Sequence, residues 1–473
     1  MTRAPRFLPL LLPLAACLTG LLTFADADVS PDAHGGRFGF AVQGGIAANS
    51  SYNNDYAVGA PFDDIVYIYG DTDPTPIGTF AAGTGDETGW ALTRGDVVGT
   101  FGADLVVASH SFNNGRGRVF ILESTQMTGA LGPSDAWVTL EGRDVDDYAG
   151  WDVALGDFDD DGHRDVLVGM CGRDDFRGAV AVAFGPFTQG STIDLLDTTQ
   201  TMVIRGEAQT GNFGCAVAAG DIDGNGRDEI IVGADRMDGG LPPNGDIVES
   251  GEVYAIFSKA VPGQYVVTNA ALNMRSWTGE ASGDSLGFSV ASGDDYDGDE
   301  IDDLVIGASG NWCDWMNDHS FSRDCINPIQ GKAYIILGKS RVRNRVQHVS
   351  GAIDAVADAT LVGANAGEGY GWTVEMLGDM NGDDKSEVAI GSRIGERIDV
   401  AYGTTVSPGS VVEQSGIPLA IDGSAEGLFV QATSGADVNS DGLRDLIVGA
   451  GGTEWTEDGP PTVDGQVHVF FGE

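Results

Sequence analysis

One short segment recurs along this chain, and its recurrence limits the possible folds more than any other feature of the sequence. The segment GWDVALGDFDDDGHRDVLVGM (150–170) combines an apolar run, an Asp-rich turn and a second apolar run. Because a chain with internal repeats folds as an array of similar units, its copies predict a repeat architecture. Altered copies occupy 214–234, 287–308, 371–392 and 429–450, and weaker copies occupy 38–61 and 89–109.

Each of these seven units has the pattern of four short β-strands. A β-rich run such as GEVYAIF (251–257) follows the repeat, and a fourth run such as TMVIRG (201–206) precedes the next copy. Gly and Asp turns between the runs are typical of an antiparallel meander. Since one such sheet cannot bury both faces alone, the units must pack on one another. We therefore predict an all-β fold, a seven-bladed β-propeller of four-stranded antiparallel blades, spanning residues 28–473 as one domain.

An open solenoid is the alternative architecture, but a solenoid normally carries polar capping repeats, and the sequence has none at either end. Composition agrees with a turn-rich fold, since 71 of the 473 residues are glycine. The chain has 71 acidic and 25 basic residues and a formal net charge of −46. This charge argues against a nucleic-acid partner and against an anionic membrane surface, since both attract clustered Lys and Arg.

The amino terminus has the pattern of a secretory signal. Arg3 and Arg6 precede an apolar run over 7–24, and Ala25-Asp26-Ala27 fits a signal-peptidase site. We predict a signal peptide at 1–27 and a secreted or cell-surface protein, with no later segment apolar enough to span a bilayer. A signal anchor is one alternative. Lipid anchoring through Cys17 is another, because Leu14-Ala15-Ala16-Cys17 resembles a lipobox.

Export would place the other four cysteines in an oxidising compartment, where disulfides persist. Cys313 and Cys325 lie in one loop and are predicted to pair. Cys171 follows the second strand of one repeat and Cys215 opens the next. These two either meet as a disulfide or remain two free buried thiols.

The Asp-rich turns have the spacing of calcium sites. Counted from the first Asp, positions one, three and five are Asp or Asn, and position nine is Asp or Glu. Alternate residues of a tight turn can point their oxygens into one concavity, and Ca²⁺ takes six to eight oxygen ligands. The predicted ligands, with the position-seven residue contributing its carbonyl, are Asp157, Asp159, Asp161, His163 and Asp165; Asp221, Asp223, Asn225, Arg227 and Glu229; Asp295, Asp297, Asp299, Ile301 and Asp303; Asp379, Asn381, Asp383, Lys385 and Glu387; and Asp437, Asn439, Asp441, Leu443 and Asp445.

Solvated Asx turns use the same residue types and are the alternative interpretation of any single turn. Five turns in register favour about five Ca²⁺ sites instead, because their 17 carboxylates repel one another when no cation is present. An EF-hand is excluded, since helices do not flank the turns and no Glu stands at position twelve. The first repeat (Asn49, Ser51 and Asp55) and the second (Asp96 and Asp104) lack the full set, and we predict no metal there.

These motifs resemble the FG-GAP repeat of the integrin α-chain amino-terminal propeller. The resemblance rests on pairs such as Phe38-Gly39, triplets such as Gly59-Ala60-Pro61 and five D-x-[DN]-x-[DN] turns, and it covers almost the whole chain after residue 27. It implies extracellular partner binding. Most copies lack the Pro, Leu428-Phe429 replaces one Gly-aromatic pair, and the leg and membrane segments of an integrin are absent, which puts integrin-type signalling in doubt.

Two catalytic or ligand-like motifs are explained by the repeat register. Gly283-Asp284-Ser285-Leu286-Gly287 fits a nucleophile elbow, but it lies in a turn before a first strand and no His or acid is placed to activate Ser285. Arg94-Gly95-Asp96 matches an integrin-ligand tripeptide, but Asp96 is the first residue of a degenerate turn. The six histidines are scattered.

Absence of a catalytic constellation predicts a non-enzymatic binding or adhesion module for an extracellular protein or glycan. A narrower alternative is a lectin, and a secreted polysaccharide lyase or hydrolase is the enzymatic alternative.

The partner site is expected on the face opposite the calcium ions, since successive connections of a meander alternate ends. The loops over 235–250, 310–330 and 451–464 emerge there. Trp312 and Trp315, in the middle loop, are the predicted anchors, and their alternative role is to cover the blade beneath. We also expect residues 28–35 to supply the fourth strand of the last blade, which the sequence leaves with three.

Overall fold

The structure is a computed structural model, which describes residues 20–23, 37–48, 54–100, 102–207, 211–236, 250–310, 329–339, 350–393, 395–403, 409–423, 430–450 and 465–472. Seven small sheets follow one another along the chain. Their first strands contact one another in a closed ring in which blade 7 meets blade 1. The predicted seven-bladed β-propeller is therefore confirmed.

Each of blades 1 to 6 contains four antiparallel strands in chain order, as the sequence predicts. Three strands of blade 7 lie in the described residues. The strands are Ala41–Ile46, Asp55–Ala60, Ile65–Tyr69 and Pro76–Phe80 in blade 1; Thr88–Gly95, Asp104–Ser109, Arg118–Leu122 and Val138–Glu141 in blade 2; Ala149–Gly156, Asp165–Met170, Ala179–Ala183 and Thr201–Arg205 in blade 3; Ala216–Gly220, Glu229–Ala234, Glu252–Ile256 and Met274–Thr278 in blade 4; Leu286–Ser292, Leu304–Ala308, Gln330–Ile336 and Ala359–Ala366 in blade 5; Tyr370–Gly378, Glu387–Ser392, Arg397–Ala401 and Leu419–Asp422 in blade 6; and Val430–Ala436, Asp445–Ala450 and Gln466–Phe470 in blade 7.

The hydrophobic core is divided among the junctions between blades. The second strands are buried along their whole length, as in Asp165–Met170. Because side chains of a strand alternate between faces, Val166 and Val168 pack toward blade 2 while Leu167 packs toward blade 4. Each neighbouring pair of blades shares one such cluster. The Val- and Ile-rich runs are thus apolar on both faces because each blade lies between two others.

Glycines allow the backbones of neighbouring blades to meet. Gly214, which precedes a first strand, has φ of +87°, and a Cβ built on Gly169 of the preceding blade would lie 2.2 Å from the carbonyl oxygen of Gly214. No side chain can occupy that space, so the junction requires glycine in the second strand. The same contact recurs at four other junctions, Gly59 with Gly89, Gly233 with Gly287, Gly307 with Gly371 and Gly449 with Gly39. This geometry explains the recurring Gly-aromatic and Val-Gly-Ala motifs.

A fifth, short parallel strand extends six of the sheets, which the sequence did not predict. In blades 1 to 5 it comes from the connection between the third and fourth strands of the following blade. These strands are Gly129–Leu131, Ser191–Asp194, Gly263–Val266, Gly351–Ala352 and Ser410–Glu413. In blade 6 the fifth strand is Gly20–Thr23, paired in parallel with Leu419–Asp422.

The Gly20–Thr23 pairing bears on ring closure and on export. In blade 2, the donated strand starts at Gly129 and the fourth strand at Val138; in blade 4 the starts are Gly263 and Met274. The same number of residues counted from the start of the strand at Gly20 ends within residues 28–35, the segment predicted to supply the fourth strand of blade 7. Residues 28–35 themselves lie outside the described residues, so their role stays a prediction. Cleavage after Ala27 would remove Gly20–Thr23 and leave Leu419–Asp422 outermost.

In the described part of the chain, the helical segments are single turns in the connections. The four-residue turns are Phe112–Gly115, Arg173–Phe176 and Ile353–Val356, of which the first two contain left-handed residues, and the 3₁₀ turns are Pro61–Asp63, Ser124–Gln126, Pro133–Asp135, Ala270–Leu272 and Gln414–Gly416.

Candidate functional site

The Asp-rich turns join the first and second strands and are preformed by their own hydrogen bonds. In blade 3, Asp157 accepts the backbone N–H of Asp161 at 3.1 Å through Oδ1 and that of Gly162 at 2.9 Å through Oδ2. Asp161 Oδ1 in turn accepts the N–H of His163 at 2.9 Å. The position-one residues Asp221, Asp295, Asp379 and Asp437 accept from equivalent backbone groups. These bonds are those of an Asx turn, and they hold the loop in one shape.

The carboxylate at position nine connects the turn to the end of the third strand. Asp165 is completely buried, and its oxygens accept the N–H groups of Phe158 at 3.1 Å and Gly185 at 2.9 Å. Asp104 accepts equivalent bonds in blade 2, where no metal is predicted. Position nine therefore has a structural role that does not depend on an ion.

Three of the five predicted turns bring three acidic side chains together. Ligand oxygens from each set lie within 4.8 Å of one another, and the sets are Asp157, Asp159 and Asp165; Asp221, Asp223 and Glu229; and Asp295, Asp297 and Asp299. In blades 4, 6 and 7 an Asn amide donates into the same space, and in blade 4 Asn225 Nδ2 contacts Glu229 Oε1 at 3.3 Å. Asn381 Nδ2 contacts Glu387 Oε1 at 2.7 Å, and Asn439 Nδ2 contacts Asp441 Oδ2 at 2.9 Å. In blade 4 the Arg227 guanidinium lies 3.4 Å from Glu229.

These turns fit a calcium ion in their donor chemistry. Asp159 Oδ1 and Asp297 Oδ1 are buried and have no hydrogen-bond donor among the described residues. Burial, followed by the neighbouring Asp161, raises the pKa of Asp159, and burial raises that of Asp303 to about 8. A carboxylate has about four lone-pair positions, so an oxygen that already accepts an N–H can still coordinate a cation. The side chains in the turns of blades 3 and 5 thus supply a hard, oxygen-only ligand set.

A cavity of about 330 Å³ lies at the opposite end of the first strands from these turns. In blade 3, for example, Trp151 lines the cavity near the start of strand Ala149–Gly156, and Asp157 follows the end of that strand. The lining residues come mainly from the starts of the first strands in all seven blades. The cavity is therefore the mouth of the central channel on the face opposite the Asp-rich turns.

Aromatic side chains converge on this mouth from five blades. All five are partly exposed, and they are Phe40, Trp90, Trp151, Phe288 and Trp372. Ring centroids of Trp90 lie 4.5 Å from Phe40 and 5.2 Å from Trp151. On the other side, Phe288 lies 4.3 Å from Trp372. Each is the residue after the glycine of a Gly-aromatic pair, so the repeat itself places these aromatic side chains in a circle around the channel.

Blade 4 interrupts the ring with polar groups. Cys215 occupies the aromatic position and forms a disulfide with Cys171 of blade 3, which confirms the pairing alternative of the sequence analysis. Beside it, Asn212 Nδ2 donates to Asp235 Oδ1 at 3.0 Å. Asn212 Oδ1 is buried and has no donor among the described residues. Arg236 also lines this sector.

Three carboxyl groups lie among the lining residues of the cavity, those of Asp152, Asp235 and Glu375. Asp152 accepts the backbone N–H groups of Val217 and Val153 at 2.8 and 2.9 Å. Burial raises the pKa of Asp152 to about 7 and that of Glu375 to about 8, where nearby Asp294 adds to the effect and Arg94 opposes it. Arg393 stands 4.3 Å from the centroid of the Trp372 ring. The mouth thus combines aromatic surface with a few convergent polar groups, as binding pockets do.

The predicted anchors Trp312 and Trp315, and the predicted Cys313–Cys325 disulfide, lie outside the described residues. Sequence reasoning used the Gly-aromatic pairs only to count repeats and did not identify them as a site. The signal was available, because equivalent positions in a closed ring of blades must meet around one axis. Ser285 of the nucleophile-like motif lines the cavity too, with φ of +52° and 5% exposure.

Comparison with known proteins agrees with this architecture. Residues 429–470 match the FG-GAP repeat family. Integrin alpha-5 of Xenopus laevis is 27% identical over 231 residues, which are 47% of this chain and 20% of the integrin. Integrin alpha pat-2 of Caenorhabditis elegans is 28% identical over 238 residues, which are 48% of this chain and 18% of that protein. The resemblance to FG-GAP repeat proteins and integrin α-chains is confirmed over about half of the chain.

The matched segment spans about a fifth of the length of these integrins. Phosphatidylinositol-glycan-specific phospholipase D of Mus musculus is also similar, with 29% identity over 169 residues, 33% of this chain and 19% of the enzyme. Among the described residues, no helix has the length and apolar character needed to cross a bilayer.

Proposed function

We propose that this integrin-alpha-like FG-GAP propeller is an exported, calcium-stabilised binding module whose partner, an extracellular protein or glycan, docks at the mouth of the central channel. The observation that carries the proposal is the ring of five partly exposed aromatic side chains around a preformed cavity. Aromatic and Arg side chains dominate binding energy at recognition sites. A rigid propeller presents them without an ordering cost.

Calcium has a structural role in this proposal. About five Ca²⁺ ions occupy the turns of blades 3 to 7 and neutralise carboxylates that the fold brings together. Because the turns lie at the far ends of the first strands, the ions do not touch the partner. They hold the ends of the first strands that lie opposite the aromatic positions. Export follows from the pattern of residues 1–27.

An enzyme on the same scaffold is not favoured. The described group that most resembles a catalytic triad is Ser111, His110 and Glu87. Here both Ser111 Oγ, at 3.4 Å, and Glu87 Oε2, at 3.2 Å, face the same nitrogen, Nε2 of His110. Nδ1, which an orienting acid must contact in a triad, is buried without a hydrogen-bond partner among the described residues. Burial also lowers the pKa of His110 to about 3.

The proposal is tested on two arrays, one of purified extracellular proteins and one of glycans, each probed with the calcium-loaded chain. We expect binding that is weakened when Trp90 and Trp151 are both replaced by Ala. The matched control is Phe62→Ala, an aromatic residue with 40% exposure that is not part of the cavity lining. Binding that both variants retain would place the partner elsewhere, and release of sugar from the glycan array would favour the enzymatic alternative.

A further inference from the structure

We infer that the channel mouth holds one ring of a neutral sugar, stacked on the aromatic wall of blades 1 to 3 and hydrogen-bonded by the polar sector of blade 4. This inference deepens the proposed function and rests on it, since it selects a glycan as the partner. The two halves of the site are independent observations. One is the continuous aromatic wall, and the other is a buried acceptor to which no residue in the described part of the chain donates.

The aromatic wall is made by Phe40, Trp90 and Trp151. Their centroids are 4.5 and 5.2 Å apart in sequence order, so the three rings form one connected apolar surface beside an open cavity. Flat hydrocarbon faces of a pyranose ring need such a surface. The cavity volume of about 330 Å³ lies at the lower end of the range for small-ligand pockets, which suits a single sugar unit.

The polar sector supplies hydrogen bonds in the direction that hydroxyl groups require. The bond from Asn212 Nδ2 to Asp235 Oδ1 fixes the orientation of the amide, and none of the described residues donates to Asn212 Oδ1. Asn212 lines the cavity and is only 4% exposed, so a further donor for this oxygen comes from the cavity side. An unpaired buried acceptor costs free energy, which a donor from a ligand would recover. A sugar hydroxyl is such a donor.

The charges of the site favour a neutral ligand over a cationic side chain. Arg236 and Arg393 both line the cavity and repel a cation. The face of Trp372 already carries the Arg393 guanidinium at 4.3 Å. The pKa values of Asp152 and Glu375 are raised to about 7 and about 8, so near neutral pH Asp152 is about half protonated and Glu375 is mostly protonated. Asp235 also lines the cavity, and its carboxyl group beside Arg236 disfavours an anionic sugar.

The test is tryptophan fluorescence of the calcium-loaded full chain during titration with D-glucose, D-galactose, D-mannose, L-fucose, N-acetyl-D-glucosamine and their neutral disaccharides. D-glucuronate and L-arginine methyl ester serve as charged probes. We expect saturable quenching by at least one neutral sugar. Trp151→Ala should weaken that binding by about tenfold or more. Asn212→Gly should weaken it by about fivefold, and glycine accommodates the φ of +56° at this position.

Phe62→Ala is the control and should bind as the parent does. A calcium-dependent melting curve for each variant verifies that the propeller is folded. Two results would overturn the inference. One is that the chain binds arginine methyl ester in preference to every neutral sugar. The other is that Trp151→Ala and Asn212→Gly both leave sugar binding intact. The chain could instead respond to no neutral sugar and bind a protein on the array through Trp90 and Trp151. That result would refute the inference of a sugar ligand, while the proposed binding function would still hold.

Discussion

The substitution Asp297→Asn should change stability in opposite directions with and without calcium. Asp297 stands at position three of the fifth-blade turn, where its Oδ1 is buried with no hydrogen-bond donor among the described residues. Its carboxylate lies close to those of Asp295 and Asp299, and one oxygen from each of the three lies within 4.8 Å of the others. Without a cation, removing one negative charge relieves repulsion, so the variant should melt at the same temperature as the parent or higher.

With calcium the sign reverses, because the variant has a weaker site. A ligand present at one hundred times its Kd stabilises the native state by about 2.7 kcal/mol for one site. An unfolding entropy of about 2.1 cal/mol/K per residue gives roughly 0.9 kcal/mol/K for residues 28–473. Losing the whole site would then lower the melting temperature by about 3 °C. Since Asn still offers one oxygen, this value is the upper limit.

Differential scanning calorimetry in EGTA and in saturating calcium measures both signs. The matched control is Asp104→Asn in blade 2, whose carboxylate accepts the N–H groups of Val97, Val98 and Ser124 and is predicted to bind no metal. Its effect should be destabilising and equal in the two buffers. If Asp297→Asn lowers the melting temperature equally in EGTA and in calcium, the turns are ordinary Asx turns and the calcium argument is wrong.

Three further predictions concern the disulfide, the channel and ring closure. Replacing Cys171 and Cys215 together by Ala should lower the unfolding free energy by up to about 4 kcal/mol, since the disulfide closes a loop of 44 residues. Denaturant titrations measure this loss. A reductant should destabilise the parent by a similar amount and should leave the stability of the double variant unchanged. Asp152 has a folded-state pKa raised to about 7, so its contribution to stability is full below about pH 4 and is lost as the pH rises through 7. Asp152→Asn should therefore flatten the fall in unfolding free energy between about pH 4 and 7 by up to about 1.4 kcal/mol per pH unit, measured by denaturant titration at each pH. Finally, if residues 28–35 close blade 7, a chain starting at Arg37 should have a melting temperature well below that of a chain starting at Asp28. Equal melting temperatures would exclude that role. A chain starting at Gly20 would show how much Gly20–Thr23 raises the melting temperature.

The sequence was sufficient to predict the blades because the information that defines them is local and repeated. An apolar run, an Asp-rich turn and a second run specify two paired strands wherever they occur. The second apolar run of the segment 150–170 is found as strand Asp165–Met170. The sequence identified position nine as acidic, and the structure adds its burial and its backbone partners at Gly185 and Phe158.

What the sequence did not reveal depends on contacts between distant segments. The fifth strands, such as Gly129–Leu131, pair with a different blade from the one whose connection contains them, and nothing in three residues specifies that partner. The aromatic mouth requires Phe40 and Trp372 to meet across more than three hundred residues of chain. Only the closed ring brings them together. Periodicity therefore predicts the units, while closure of the ring produces the site.

Departures from the repeat, rather than the repeat, give the mouth its selectivity. Identical blades would place one aromatic residue at every position around the axis, and such a ring would offer no means of orienting a ligand. Cys215 breaks the ring at blade 4, and Asn212 and Asp235 fill the gap with an acceptor and a carboxylate. Arg393 makes blade 6 different again by covering Trp372. Because Asn212 is hydrogen-bonded to Asp235 and Cys215 is tied to blade 3 by the disulfide, a ligand that fits the aromatic wall can satisfy Asn212 in only a few orientations. Restoring an aromatic residue at Cys215 would make the mouth more symmetrical, and it should cost binding even though it adds apolar surface.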